Sequence, residues 1–360
     1  MRLRLTSRPE PSRVMLVASP LLAASLTLGA GFVLFLALGQ RPGVALHTFF
    51  VAPVSSWNGI AELLLKAAPL ILIAQGLAIG FRANVWNIGA EGQLVLGAIA
   101  AGAMAIVFDG TTSVWLLPAM VAAGVLGGMA WAAIPAFLRT RFHASEILVT
   151  LMLSYVATLV LSYLVHGPMR DPQGLNFPQS ILFGESALFP NILADTRLNL
   201  AVVFPALATA AAWVFVTKTY AGYQMLVGGL APLAARYAGF SQSRAVWTAL
   251  LIAGGAAGLA GVGEEAGPLG QLLPTVSPGY GFAAIIVAFL GRLHPLGIVV
   301  AGLLMSLLYL GGEAAQIALQ VPYAVTSLFQ GLLLFFLLGS DLFVFYRVRI
   351  GQRPRGGERP

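Results

Sequence analysis

Cysteine is absent from this chain and charged residues are scarce, and both facts limit what the protein can be. The 360 residues include no cysteine and only 9% charged residues. Without thiols there is no disulfide framework, no cysteine nucleophile and no zinc–thiolate site. A soluble domain carries roughly 25% charge. Because hydrophobic residues make up 58% of the chain and the mean hydropathy is +0.87, we predict an all-α, polytopic integral membrane protein with one domain over residues 1–360.

Common catalytic motifs are also missing from the sequence. It has no GxxxxGKS/T loop for nucleotide phosphates, no HExxH pair for zinc and no GxSxG elbow for a serine nucleophile. We therefore expect a chain that is not an enzyme, that holds no metal or cofactor, and that does not itself bind ATP.

Ten apolar stretches are candidate membrane spans, since a helix needs about 20 apolar residues to cross a bilayer. They lie near 15–38, 60–80, 88–108, 114–137, 146–165, 198–217, 245–263, 280–292, 295–312 and 322–339. The eighth is short and is bracketed by Gly279, Gly281, Gly291 and Pro295, so it is also open to interpretation as a broken or re-entrant helix, or as part of the ninth. Ten spans is the prediction, and nine and eight are alternatives.

The basic residues predict the orientation, because cytoplasmic loops of membrane proteins are enriched in Lys and Arg. With the N-terminus in the cytoplasm, sixteen basic residues fall in cytoplasmic segments and three fall outside. We predict that both termini are cytoplasmic, with an external loop at 166–197, a cytoplasmic loop at 218–244 and a cytoplasmic tail at 340–360. The net charge of +7 then reflects topology, and no nucleic acid is expected as a partner.

A cluster of polar residues, NVWNIGAEGQ, stands where the third predicted span begins. Lipid cannot hydrogen-bond an amide or solvate a carboxylate, so these groups must face other helices or a wet cavity. We predict that they line a translocation path; the alternative is an ordinary helix end near the interface. The candidate residues are Asn84, Trp86, Asn87, Glu91 and Gln93.

Helix geometry separates three of these residues. Asn87 and Glu91, four apart, would share one face, whereas Gln93 would lie about 160° from Glu91. Gln93 would then bind a neighbouring helix, or the segment would be non-helical at Gly89. Trp86 is either an interface anchor or a stacking surface for a sugar or base.

Two further carboxylates, Glu264 and Glu265, follow AGGAAGLAGVG, whose small residues permit close helix packing. They are predicted to line the solute mouth near the external face, and simple solvation at the interface is the alternative.

The cytoplasmic loop 218–244 is more prone to helix formation than a connector requires. Pro232 suits a first helical turn and Gly239 can end the helix. We predict a short helix between them, lying along the membrane, where it could transmit motion from a soluble partner.

Three segments in this order, NVWNIGAEGQLVLGA (84–98), GGLAPLAARYAGFS (228–241) and GYGFAAIIVAFLGRLHPLGIVVAGLL (279–304), resemble permease subunits of ATP-binding-cassette (ABC) importers. The family is that of ribose-type sugar and branched-chain amino acid permeases. The first segment, with residues 145–172, is most similar to its nucleoside and simple-sugar branch.

This resemblance implies a transport subunit of the bacterial inner membrane that moves nucleosides or simple sugars. It implies a second permease, identical or homologous, two cytosolic subunits that bind the ATP, an external substrate-binding lipoprotein and the surrounding lipid. By position, the family's ATPase-coupling helix falls on Ala234, Ala235, Arg236, Tyr237 and Gly239.

A second class of function stays open from the residues alone. A secondary transporter of a small polar solute would use Glu91, Glu264 or Glu265 to couple proton movement to transport.

Overall fold

The computed structural model describes residues 2–8, 12–322 and 324–351, and this part of the chain is mainly helical. The long helices are α1 (Arg13–Ala37), α3 (Trp57–Arg82), α4 (Ala90–Val107), α5 (Leu116–Phe142), α6 (Glu146–His166), α7 (Val203–Lys218), α10 (Gln242–Glu264), α12 (Pro295–Leu319) and α13 (Ala324–Phe345). The shorter helices are α2 (Pro42–Phe50), α8 (Tyr220–Leu230), α9 (Pro232–Tyr237) and α11 (Tyr280–Leu290). Two strands, β1 (Arg2–Ser7) and β2 (Tyr346–Gly351), stand at the two ends of the described chain.

Nine helices in the described residues are long and apolar enough to cross a membrane. They match nine of the ten predicted stretches, which confirms the all-α polytopic fold. The eighth stretch is the 11-residue helix α11. At 1.5 Å per residue it covers roughly 16 Å, about half of a bilayer's hydrocarbon core. The ten stretches thus become nine long helices and one half-length helix.

The chain divides into two compact units, of which the first holds residues up to Ala52 and from Gly311 on. In this unit α1 packs along α13, and Phe35, Phe49 and Phe329 meet in an aromatic cluster. The rings of Phe49 and Phe329 stack with centroids 4.7 Å apart. All three side chains are fully buried, so they fix how α1, α2 and α13 pack within the unit. Helix α2 has Pro42 at its start; it was not anticipated from the sequence.

Strands β1 and β2 pair antiparallel in the same unit. Arg2 lies opposite Gly351 and Ser7 lies opposite Tyr346. The pairing brings the first and last described segments together. The predicted tail 340–360 is therefore helical as far as Phe345 and extended to Gly351, and residues 352–360 lie outside the described residues.

The second unit, Pro53–Leu310, is organised around α3 and α10. Helices α4, α5 and α10 approach one another through glycines rather than through large side chains. A Cβ added at Gly258 would collide with the backbone at Gly124, and one at Gly254 would meet Gly128. The close packing predicted for the small residues of α10 is confirmed, since these backbones touch where the sequence reads AGGAAGLAG.

The external loop predicted at 166–197 packs along the segment that follows α10. The Ser180 amide donates to the Leu272 carbonyl (3.0 Å), and the Phe183 amide donates to the Gly270 carbonyl (2.8 Å). The Ser180 hydroxyl also accepts from the Leu272 amide (2.9 Å). These bonds tie Gly270 and Leu272 to the loop, and residues 270–279 form an irregular, partly buried segment that leads into α11.

Candidate translocation site and coupling loop

The polar run, defined here as residues 84–93, joins the end of α3 to the start of α4 and is mostly non-helical. Asn84 adopts a left-handed conformation (φ 55°), and the chain stays extended until Gly89. Helix α4 begins only at Ala90. The expectation that Asn87 and Glu91 share a helix face is therefore wrong, because Asn87 precedes the helix. The alternative of a non-helical segment at Gly89 is confirmed.

The side chains of Asn87 and Gln93 form two hydrogen bonds with each other inside the protein. The Asn87 amide donates to Gln93 Oε1 (2.8 Å), and Gln93 Nε2 donates back to Asn87 Oδ1 (3.3 Å). Asn87 Oδ1 also accepts from the Gly89 amide (2.9 Å), which fixes the turn that leads into α4. Both side chains are buried. The spacing of six residues, which no helix face explains, therefore arises because Asn87 folds back over the first turn of α4.

Glu91 connects two helices that are distant in the sequence. It is buried in the first turn of α4, and its Oε2 accepts from the Gly281 amide of α11 (2.7 Å). The helix starts also touch through their backbones, since a Cβ at Gly281 would collide with Ala90 and Glu91. The carboxylate thus lies where the N-termini of α4 and α11 meet, and a negative charge is favourable at a helix N-terminus.

Trp86 packs against aromatic rings of its own chain. Its ring lies 5.1 Å from that of Phe81 and 5.7 Å from that of Phe289, the latter nearly parallel. Its indole N–H donates to Asn84 Oδ1 (3.0 Å), and Asn84 is exposed. Phe289 belongs to the last turn of α11, so Trp86 contacts the end of that helix opposite to the one that Glu91 holds.

Glu264 and Glu265 end α10 and lie far from Glu91. Both are buried, which disagrees with simple solvation at the interface. The Glu265 carboxylate has no hydrogen-bond partner among the described residues and borders Gly102 of α4. Gly102 stands eleven residues after Glu91, or roughly 16 Å along α4. The polar run and the Glu264–Glu265 pair therefore lie near different ends of α4.

The coupling loop, residues 218–244, contains the short helix that the sequence predicts. Helix α9 starts at Pro232 and the chain turns at Gly239, whose φ is +78°. Its two faces differ: Leu233 is 84% exposed and Tyr237 97%, whereas Ala235 is 4% exposed. Ala235 thus faces its own chain, and the apolar side chains directed away from it are Leu233 and Tyr237.

Arg236 and Arg244 line a cavity of about 500 Å³ behind α9, together with Asn84, Gln224 and Arg139. Arg139 is paired with Glu146 of α6. The exposed Arg236, predicted from the sequence as a coupling residue, thus lines this cavity, as do Leu233 of α9 and Asn84, which was predicted for the translocation path.

Two polar residues with buried or capping hydrogen bonds are not indicated by the sequence patterns described above. Gln75, in the middle of α3, donates to Thr209 Oγ1 (2.9 Å) and to the Pro295 carbonyl (2.8 Å). The signal for it was a single amide within the apolar run ILIAQGLAIG. Ser277, before α11, accepts from the amides of Gly279 (3.2 Å) and Tyr280 (2.9 Å), and nothing in the sequence distinguishes it from a loop serine.

Comparison with known proteins identifies the family. Residues 59–338 match the family described as branched-chain amino acid transport system / permease component. The chain is 37% identical to the glucose ABC transporter permease protein TsgB13 of Haloferax volcanii, over 95% of this chain and 92% of that protein. It is 31% identical to the guanosine ABC transporter permease protein NupP of Bacillus subtilis, over 89% of this chain and 92% of that one.

A third relative is the nucleoside ABC transporter permease protein NupB of Lactococcus lactis, 29% identical over 82% of this chain and 83% of that protein. Among solved structures, PsaBC from Streptococcus pneumoniae in complex with Fab matches 79% of this chain and 91% of its own, with a TM-score of 0.44 and 14% identity. With nine apolar helices in its described residues, the chain is a multi-pass integral protein of the bacterial inner membrane, and it belongs to the family of branched-chain amino acid transport system permease components as a permease of an ABC transporter.

Proposed function

We propose that this permease is the membrane subunit of an importer for nucleosides or simple sugars, fed by an external substrate-binding protein. The similarity that carries the proposal extends over nearly the whole chain, to one permease named for glucose and to two named for guanosine and nucleosides. The ATP would be bound by separate cytosolic subunits, since the sequence has no phosphate-binding lysine loop. The chain then contributes the path and the coupling surface, with a second permease as its partner and no cofactor of its own.

The proposed solute path passes the junction of α4 and α11 near the start of α4, and it passes the Glu264–Glu265 pair farther along that helix. Both α4 and α11 start inside the unit after a non-helical segment, and discontinuous helices commonly form solute sites in transporters. Because Asn87 and Gln93 are buried and Trp86 is stacked on Phe289, their proposed role is to shape this path, while Asn84, which accepts from Trp86 but is exposed, is accessible to a solute.

The proposed contact with the ATP-binding subunit is the Leu233–Tyr237 face of α9. Residues four apart share a helix face, and these two are the most exposed large apolar side chains of the coupling loop. Ala234 is also exposed, whereas Ala235 and Gly239 would act by placing α9, through small size and a left-handed turn respectively.

The test is uptake by proteoliposomes that contain the permease co-purified with its ATP-binding subunits and supplied with the external binding protein. We expect ATP-dependent uptake of a radiolabelled nucleoside or glucose that an uncoupler does not change. Uptake that is independent of ATP and abolished by an uncoupler would instead assign the chain to the ion-coupled secondary transporters.

A further inference from the structure

Helix α11 starts inside the protein, which leaves its first backbone amides without water. Tyr280 and Gly281, the first two residues of the helix, are buried, and the irregular segment before them is bonded to the loop through Leu272 and Gly270. The first N–H groups of any helix have no partner within the helix, and each one left unpaired in the interior is costly. The start of α11 therefore needs acceptors from other parts of the chain.

Two side chains supply these acceptors. The Ser277 hydroxyl accepts from the amides of Gly279 and Tyr280, and Glu91 Oε2 accepts from the amide of Gly281. Ser277 is local, so it moves with the segment that it caps. Glu91 lies 190 residues away in sequence, so its bond is the polar link between the start of α11 and a different helix.

Glu91 also lies between two helix ends of the same polarity. It is the second residue of α4, and it bonds the second residue of α11, where the two backbones are in contact at Gly281. Each helix N-terminus carries about half a positive charge, so two of them in contact repel each other unless an anion lies between them. A carboxylate at this position stabilises the contact, and an apolar side chain does not.

We propose that Glu91 is a positioning residue: its carboxylate holds the buried start of α11 against the start of α4, and so keeps the segment 270–290 in its working position during transport. This rests on the proposed function and deepens it, because it assigns Glu91 an action through α11 rather than through contact with the solute. Trp86 supports the other end of α11 through Phe289. The polar run thus holds the short helix at both ends.

The test uses the absence of cysteine from the chain, so that a single introduced thiol gives the only maleimide signal on the permease band. Val276 is 2% exposed and lies just before Ser277. Val276→Cys is introduced alone and together with Glu91→Gln, Glu91→Leu or the matched control Glu185→Leu, which removes an exposed carboxylate in the external loop. Maleimide labelling, uptake and co-purification of the ATP-binding subunits are measured on the complete transporter in membranes.

Glu91→Gln keeps an acceptor oxygen for the Gly281 amide but loses the negative charge between the two helix N-termini, so we expect labelling of Cys-substituted Val276 and uptake to change by a few-fold at most, less than in Glu91→Leu. Glu91→Leu leaves the Gly281 amide unpaired, so labelling should rise and uptake should fall, each by about tenfold, with the ATP-binding subunits still bound. Glu185→Leu should match the parent. If Glu91→Leu does not accumulate, Glu91→Asp is used instead. Its side chain is one methylene shorter, so labelling at position 276 must also rise, by less than tenfold.

A second variant tests the same contact from the other helix. Gly281→Ala places a Cβ against the backbone of Ala90 and Glu91, so it should raise the labelling at position 276 as Glu91→Leu does. The double variant should show no more labelling and no less uptake than the more affected single variant, because both changes break the same contact.

Unchanged labelling in Glu91→Leu, additive losses in the double variant, or a loss expressed only as a higher KM for the solute would overturn the proposal. In the last case Glu91 would be a solute contact. Failure of the proposed function gives a different result: the parent itself would then show no ATP-dependent uptake, or would not co-purify with ATP-binding subunits.

Discussion

The polar run and the coupling loop both interrupt apolar helices, yet they present opposite surfaces. In the polar run, Asn87, Glu91 and Gln93 are buried and bonded to groups of the same chain. In the coupling loop, Leu233 and Tyr237 are apolar and almost fully exposed. Both arrangements reverse the usual distribution, in which polar side chains are mostly exposed and large apolar side chains are mostly buried. The first arrangement holds helices together within the chain, and the second leaves a surface for another subunit.

Accessibility to a label gives the largest contrast between the two regions. In the permease without its ATP-binding subunits, Tyr237→Cys should react fully with a membrane-impermeant maleimide added from the cytoplasmic side, whereas Asn87→Cys should not react, because the Asn87 side chain is buried. Labelling of Tyr237→Cys only from the external side would reverse the predicted orientation, and labelling of both would contradict the difference in burial.

A second test of orientation concerns the two ends of the chain. Because β1 and β2 pair, residues 2–7 and 346–351 should be on one side of the membrane, which requires an even number of crossings. The nine long helices of the described residues give an odd number, so the irregular segment 270–279 with α11 is expected to supply a tenth crossing. Reporter fusions at both termini should give cytoplasmic signals, with an external signal at 175–190. Termini on opposite sides would leave segment 270–290 as a re-entrant element.

Ala235→Trp should have the next largest effect, because it acts on the buried face of α9. Overpacking a filled site costs about 1–3 kcal/mol, so the thermal midpoint of the isolated permease should fall and uptake should be lost. Ala238→Trp is the matched control at an exposed position of the same turn. Its isolated permease should keep the parental midpoint. Equal midpoints for both variants would show that α9 is not packed on its own chain.

Gln93→Leu tests the internal bonding of the polar run. Removing one partner of a buried pair costs about 1–3 kcal/mol, because the Asn87 side-chain N–H is left without its acceptor, while Asn87 Oδ1 keeps only the Gly89 amide as donor. The thermal midpoint in detergent should fall accordingly. Gln316→Leu, at an exposed position of α12, should leave it unchanged. A stable Gln93→Leu permease that only loses affinity for its solute would place Gln93 in contact with the solute instead.

Trp86→Phe should have the smallest effect. The stacking on Phe289 is retained, and the bond to Asn84 is lost, which costs about 0.5–1.5 kcal/mol. The KM for the solute should not change if Trp86 serves only to pack α11. Trp57→Phe, at an exposed helix start, is the control and should match the parent. A raised KM in Trp86→Phe alone would favour stacking of the solute on Trp86.

The sequence predicts those features of the fold that depend on residues close together along the chain. Runs of apolar residues locate the nine long helices, and Pro232 and Gly239 locate α9, because hydrophobic length and backbone preference are local properties. The bond from Glu91 to Gly281 joins residues 190 apart, and no local pattern indicates it. Asn87 was misplaced because its spacing from Glu91 fits a helix, whereas its side chain caps the turn before one. The packing of α2 was missed because it depends on the distant Phe329.

The most direct test of the account compares Glu91→Leu with Tyr237→Ala in the purified transporter, measuring retention of the ATP-binding subunits and ATP-dependent uptake on the same preparations. We predict that Glu91→Leu retains the ATP-binding subunits and loses uptake, whereas Tyr237→Ala retains a stable permease and loses the ATP-binding subunits. Identical behaviour of the two variants, with both losing or both keeping the ATP-binding subunits, would contradict the assignment of one region to the interior of the permease and the other to its partner.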